Sequence, residues 1–234
     1  MDRLTRKGLK QDKFAQEVGH TVEFLTEHKK QMVLYGAAAV VVVLVAVGWW
    51  FYSSRQRTAR QTELTKALEV MAANVAQNPQ GNVISFPTAE DKDKAIAKSL
   101  TDLATKYPGT TEGAVGRYLL GSMATDEGKL DEGAQAYSEV AKSGNPEFAS
   151  LANYALAQVR FAQGAPAEAE KLLRALIAKP TLMVSKAQAT IALAQGLAAS
   201  KPQEARNLLE PLKSQPGSVG RVATSALEGL TAAK

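Results

Sequence analysis

Residues 117–146 read RYLLGSMATDEGKLDEGAQAYSEVAKSGNP, and this stretch decides the fold. Leu120-Gly121 lies in an apolar-periodic run, Gly128 interrupts it, and Gly133, Tyr137 and Val140 resume at helical spacing before Pro146. That is the pattern of a helix, a turn and a second helix. It recurs at a period of 36 residues. Leu120-Gly121 aligns with Leu156-Ala157 and Ala192-Leu193, Gly128 with Gly164 and Ser200, and Gly133 with Ala169 and Ala205. Tyr137 aligns with Leu173 and Leu209, and Val140 with Leu176 and Leu212.

The physics of the pattern is direct. Small residues at Gly121, Gly133, Ala157, Ala169 and Ala205 let two helices approach closely, while Tyr137, Leu173 and Leu209 fill the space between neighbouring pairs. A glycine at the turn tolerates positive φ. Pro166 and Pro202 fall in the first turn of the second helix, where a missing N–H is harmless. Pro146, Pro180 and Pro216 close the units. A single helical hairpin cannot bury its apolar face, so the units must stack. The expected units are 111–146, 147–182 and 183–216, with a closing helix over 217–232. One period earlier, Ala97 falls at the small position, so Asp91–Lys106 reads as the second helix of a preceding unit. Its first helix is expected over Ser53–Asn78, with a loop at 78–90 containing two prolines and a glycine.

Upstream, Met32 to Tyr52 reads MVLYGAAAVVVVLVAVGWWFY, 21 residues without a charge. As a helix it spans about 31 Å, close to the hydrocarbon thickness of a bilayer. Tyr35 lies near one end, and Trp49, Trp50 and Tyr52 lie at the other, where amphipathic rings prefer the headgroup level. The run begins far into the chain and ends in bulky aromatics, so it reads as an uncleaved anchor and not as a cleaved signal. Residues 1–31 carry seven Lys or Arg, and the far flank carries Arg55, Arg57 and Arg60. The whole tail favours an N-terminus inside, while a long C-terminal domain can be translocated regardless of its charge. The expected organisation is a basic amphipathic helix at 1–31, a transmembrane anchor at 32–52 and an extracytoplasmic domain at 53–234, a single-pass type II arrangement. The basic helix suits anionic lipid or a cytoplasmic partner, and equally a solvated extension of the anchor.

The chain has 234 residues and a formal net charge of +5, spread without a dense basic patch of the nucleic-acid-binding kind. It has no cysteine, which removes disulfides, thiolate metal sites and cysteine nucleophiles. Its two histidines, His20 and His28, both precede the anchor, so the C-terminal domain has none for acid–base work or zinc. No phosphate-binding loop, GxSxG or HExxH pattern occurs, and Asp126, Glu127, Asp131 and Glu132 read as a solvated turn. The expectation is a non-enzyme with no catalytic residue, no metal and no cofactor, and with no nucleic-acid or small-molecule ligand.

The repeat resembles the tetratricopeptide repeat, whose marks are Leu-Gly in the first helix, Gly at the turn, Ala then an aromatic in the second, and Pro at the end. Residues 117–146 keep most of these with Gly133 in place of Ala, and the later units replace the aromatic with Leu173 and Leu209 and the turn glycine with Ser200. The fold class is therefore all-α: one N-terminal transmembrane helix, then a tetratricopeptide-like solenoid of helical hairpins. A polar helix ending in Glu-His-Lys, an anchor closing on Gly48-Trp49-Trp50 and divergent repeats also resemble the ancillary SecYEG translocon subunit (YfgM-like) family. That resemblance implies a bacterial inner-membrane protein beside the translocon and a periplasmic chaperone. The residues themselves leave open a scaffold in cell-envelope assembly or cell-wall synthesis, or a regulator acting through the N-terminal tail.

In tetratricopeptide-like stacks the first helix of each unit lines the concave side. The register then implies a protein-binding groove of Val115, Tyr118, Ser122 and Thr125, of Leu151, Tyr154, Gln158 and Phe161, and of Ala187, Thr190, Ala194 and Leu197. None is charged, which suits an extended apolar polypeptide or a partner's helix better than an acidic peptide. The closing helix, with Val219, Val222, Leu227 and Leu230, or the 78–90 loop, with Val83, Ile84 and Phe86, could instead fill that groove.

Overall fold

The computed structural model describes residues 29–76 and 84–232, so the basic helix expected at 1–31 falls outside the described residues up to residue 28, as does Val83. Two compact units divide after Thr58. Helix α1, Lys29–Ala72, runs through that division.

In the first unit the helix carries no charged residue between Met32 and Tyr52. Val33–Ala72 contains a stretch long and apolar enough to cross a membrane, with none of that stretch buried. Tyr35, Trp49, Trp50 and Tyr52 are all well exposed, as are the valines between them. A helix apolar all round is stable only inside an apolar medium or a core.

The second unit is a stack of helical hairpins. It contains the end of α1, a two-residue parallel pairing of β1 (Asn74–Val75) with β2 (Ser85–Phe86), and helices α2 (Ala89–Lys106), α3 (Thr111–Asp126) and α4 (Leu130–Ala141). Then come α5 (Pro146–Ala162), α6 (Pro166–Ala178), α7 (Lys186–Leu197), α8 (Pro202–Lys213) and α9 (Ser218–Ala232). Each helix from α2 to α9 packs on the next. The odd-numbered helices also touch one another in series, α3 with α5, α5 with α7 and α7 with α9. They form the inner layer, and α2, α4, α6 and α8 form the outer one. The closing helix α9 thus takes the place that the first helix of a further unit would occupy.

Two expectations change. The helix expected to reach Asn78 stops at Ala72, because Asn74 and Val75 pair with Ser85 and Phe86 in the stretch read as loop. Ala76 N–H donates to the Phe86 carbonyl at 2.9 Å, closing the pairing. Pro146, read as the end of a unit, is the first residue of α5. Asn145 caps that helix, its side-chain oxygen accepting from the backbone N–H groups of Glu147 and Phe148. Proline at the first helical position loses no hydrogen bond that the helix would make.

The small residues act as the register requires. A Cβ at Gly133 would collide with Thr125 Oγ1 and lie 3.1 Å from the Gly121 carbonyl oxygen, and one at Gly121 would lie 3.0 Å from both the Tyr137 ring and Ala136. Helices α3 and α4 therefore meet nearly backbone to backbone. Ala157, Ala169 and Ala205 are fully buried at the equivalent places, and Leu173 and Leu209 fill the layer beneath. Gly128 (φ +78°) and Gly164 (φ +73°) close the first two turns in the left-handed region, followed by hydrogen bonds from Lys129 to Ala124 and from Ala165 to Arg160, both 2.8 Å. At the third turn Ser200 stands in place of glycine. No residue there has positive φ, and Lys201 N–H bonds the Leu197 carbonyl at 2.7 Å instead.

The end of α1 belongs to the core of this unit. Ala67, with Val70 and Met71, packs with Ile96 and Leu100 and with Leu119, Leu120 and Met123. Arg60 reaches Glu112 at the start of α3, Nε to Oε2 3.4 Å, with both side chains largely buried. On the outer layer, Glu170 of α6 accepts from Lys201 at 2.7 Å and pairs with Arg174, which also holds Glu204 of α8.

Ala169→Leu is expected to destabilise by overpacking, about 1–3 kcal/mol, while the exposed Lys171→Ala changes stability by no more than about 0.5 kcal/mol. Urea denaturation followed by circular dichroism measures the contrast, and equal midpoints would refute the close α5–α6 contact. A second expectation concerns acid. The hydrogen bond from Lys201, opposed in part by desolvation and reinforced by Arg174, holds the Glu170 carboxyl below the usual carboxylate range. A lowered folded value stabilises the protein above the unfolded glutamate range, about pH 4.3, and that contribution disappears as pH falls through the folded value. Thermal melts of Glu170→Gln should therefore fall less steeply between neutral and acid pH than those of the parent chain.

Candidate interaction surface

The positions that the register singles out fall on the inner helices α3, α5 and α7. Val115, Tyr118 and Ser122 on α3 are half-buried, as are Leu151, Tyr154 and Phe161 on α5, while Gln158 is exposed. Tyr118 packs on the core beneath α3 and stacks obliquely on Tyr137 of α4, ring centroids 5.2 Å apart at 50°. Burial pushes the Tyr118 phenol up, and the neighbouring Tyr137 and Tyr154 push in the same direction. Tyr118 and Tyr154, one period apart in the sequence, hold equivalent positions on consecutive inner helices. Among the described residues their hydroxyls have no hydrogen-bond partner. A phenol of this kind offers an apolar face and an unspent donor to whatever meets it.

Phe161 is held differently. A Cβ at Gly196 of α7 would collide with its ring, so the Phe161 side chain rests on the bare backbone of the next inner helix. Gly196 is a residue that the repeat register does not single out, because it aligns with Arg160 and Ala124 and with none of the small positions. The signal that could have found it is the isolated glycine in the otherwise alanine-rich helix ATIALAQGL.

The third unit does not extend the surface, and Leu197 is corrected here from groove to core. Leu197 and Ala194 are fully buried and Thr190 nearly so, because α9 lies over α7 and brings Ala223, Leu227 and Leu230 into the same cluster. Ala187 packs against that cluster as well. The Thr190 hydroxyl donates to the Lys186 carbonyl at 2.8 Å, within its own helix. Thr125 is also lost to the surface. Its hydroxyl donates to the Gly121 carbonyl at 2.8 Å, and its side chain sits against Gly133. The partly exposed positions of the register are therefore those on α3 and α5. Of the described residues in the 78–90 stretch, β2 packs on the outer helix α2, and Ile84 is exposed.

Other hollows open at the helix ends. One, about 640 Å³, lies over the α3–α4 and α5–α6 turns, where Gln163 donates to Asp131 at 2.7 Å and Arg160 pairs with Glu168. Among the described residues no three His, Cys, Asp or Glu side chains gather as metal ligands.

Paired helices stacked in two layers define a helical-hairpin solenoid of the kind that presents a surface to other polypeptides. The chain belongs to the tetratricopeptide repeat-like domain family, whose model matches residues 24–181. Domains of this class are typically non-catalytic modules of protein–protein interaction. The matched span ends before α7, so the unit whose turn has lost its glycine lies beyond it. No curated protein and no solved structure is similar to the chain at a significant level.

Gly196→Ala is expected to displace the Phe161 ring and to lower the unfolding free energy by about 1–3 kcal/mol, as overpacking substitutions do. The double variant Gly196→Ala with Phe161→Leu should recover part of that loss. A double-mutant cycle with no coupling between the two positions would refute the contact.

Proposed function

We propose that this protein is a membrane-anchored, non-catalytic interaction module that holds extended polypeptide or a partner helix along α3 and α5. One observation carries the reading: Tyr118 and Tyr154 hold equivalent positions on consecutive inner helices, half-buried, with their hydroxyls unspent among the described residues. Aromatic side chains with a polar tip are the commonest anchors of protein interfaces. A groove without lysine or arginine does not select an acidic peptide, and tyrosine donors suit the main-chain carbonyls of an extended segment.

The apolar helix supports a place in the membrane. With Tyr35 near one end and Trp49, Trp50 and Tyr52 at the other, its exposed surface matches a bilayer span. We place it in a bacterial inner membrane, with the N-terminus in the cytoplasm and the repeats in the periplasm. The resemblance to the ancillary SecYEG translocon subunit family suggests its partners: the translocon, a periplasmic chaperone, and the secreted chains that pass between them. A scaffold in cell-wall synthesis would use the same groove for a fixed partner.

Two measurements test this. Cysteine labelling is clean because the chain has no cysteine. Gln11→Cys should resist a membrane-impermeant thiol reagent in intact cells whose outer membrane has been permeabilised, and Ser214→Cys should react; the opposite result refutes the orientation. Tyr118→Ala combined with Tyr154→Ala should weaken co-purification of translocon subunits from mild detergent by roughly tenfold or more, as loss of interface aromatics does, with the helical content unchanged. Undiminished capture sets the groove aside, and capture of cell-wall synthesis enzymes in place of the translocon favours the scaffold.

A further inference from the structure

The loops that join one hairpin to the next lie along one edge of the solenoid, linked in series by polar contacts. Arg60 pairs with Glu112, Asn145 Nδ2 donates to Thr111 Oγ1 at 3.4 Å, and Met183 N–H donates to Glu147 Oε2 at 3.1 Å. This edge is cationic. Lys106, Lys142, Lys179 and Lys213 stand at or next to the ends of the four outer helices, and Lys186 opens α7. Lys142, Lys179, Lys186 and Lys213 are exposed and have no ion-pair partner among the described residues. Of the edge's acids, Glu112 is paired with Arg60 and Glu139, beside Lys142, with Arg117, while Glu147 keeps its charge as it accepts from the Met183 N–H, Glu210 lies a turn back in α8 and Glu228 shares a hollow with Lys213. A lysine at a helix C-terminus complements the macrodipole and needs no further reason. Lys186 is at the wrong end for that, at the start of a helix with no acid in its first turn.

The apolar tip of this edge also lacks a local reason. Residues 179–185 form a seven-residue connection where the other three inter-hairpin loops have four. It is tightly held: Thr181 and Ser150 share a hydroxyl–hydroxyl hydrogen bond of 2.6 Å, Thr181 N–H donates to the Val184 carbonyl at 3.0 Å, and Val184 is fully buried. The result is to display Leu182 at 96% exposure, with Met183 at 42% beside it and Lys179 and Lys186 on either side. A fixed leucine–methionine pair flanked by lysines has the chemistry of a bilayer interface, where stems and apolar tips enter and ammonium groups meet phosphates.

The chain enters this unit at the same edge, through Arg60. Arg60 follows Tyr52 by only eight residues, which can span no more than about 29 Å even fully extended. We propose that the lysine edge, with Leu182 at its tip, docks on the anionic headgroups of the bilayer that anchors the chain, an inference resting on the membrane-anchor reading above.

The test uses the full chain reconstituted in vesicles of phosphatidylcholine alone or mixed with phosphatidylglycerol. Leu182→Cys carries a polarity-sensitive fluorophore, and Glu127→Cys, on the opposite edge, is the control. A blue shift at 182, with protection from aqueous iodide, is expected only with phosphatidylglycerol, is lost at high salt, and is absent at 127. Changing Lys142, Lys179, Lys186 and Lys213 to Gln should raise the phosphatidylglycerol fraction needed, each loosening the contact by roughly fivefold. In the same samples Trp49 and Trp50, the chain's two tryptophans, report insertion through quenching by brominated lipid. Quenched tryptophans with an iodide-accessible probe at 182 overturn the docking and leave the anchor standing. Unquenched tryptophans overturn the anchor and the docking with it.

Discussion

Everything in the repeat unit depends on how closely the two helices of a hairpin can approach. At α3 and α4 the limit is set by the absence of side chains at Gly121 and Gly133, with Thr125 folded back on the Gly121 carbonyl to fill the remaining space. At that separation Tyr137 lies against Gly121 and reaches the layer shared with the next hairpin. Later hairpins use Ala157, Ala169 and Ala205, with leucines where the first has tyrosine. Each pair is bound to its neighbour by the same geometry, so the stack propagates as nearest-neighbour contacts.

The same constraint determines what the inner face can offer. Inner helices touch in series, so their outward side chains become half-buried shelves between neighbours. Tyr118 and Tyr154 occupy such shelves, and Phe161 is drawn further in by the missing side chain at Gly196. The series ends at α9. A solenoid must finish with something that covers its last apolar face, and α9 does so with Ala223, Leu227 and Leu230. The cost is the surface of the third unit, where Leu197 and Ala194 become core.

The edges of the stack divide by charge. Acids gather at the turns within hairpins, where Asp131, Glu132, Glu168 and Glu204 stand in the first turns of outer helices and complement the macrodipole. Lysines gather where those helices end. An alternating up-and-down chain places all the starts of outer helices on one edge and all their ends on the other. A local preference repeated in every unit therefore becomes a charge asymmetry of the whole stack.

The sequence by itself determined the hairpins, because small residues, turn glycines and layer-filling residues recur at one period and each has a single physical use. It also determined the long apolar helix, since 21 uncharged residues permit little else. The inner faces were legible only as a register. Whether a given position stays accessible depends on what packs over it, and that is a matter of contacts distant in the sequence. No spacing rule reaches such contacts. Phe161 and Gly196 are 35 residues apart and share no repeat position, and Leu197 stands one full period after Phe161 yet lies beneath α9. The pairing of Asn74 and Val75 with Ser85 and Phe86 was hidden for the same reason, since two residues of strand carry no periodicity and form only when their partner is in place. Local spacing fixes helices and turns; the covering of one surface by another is settled only in the folded chain.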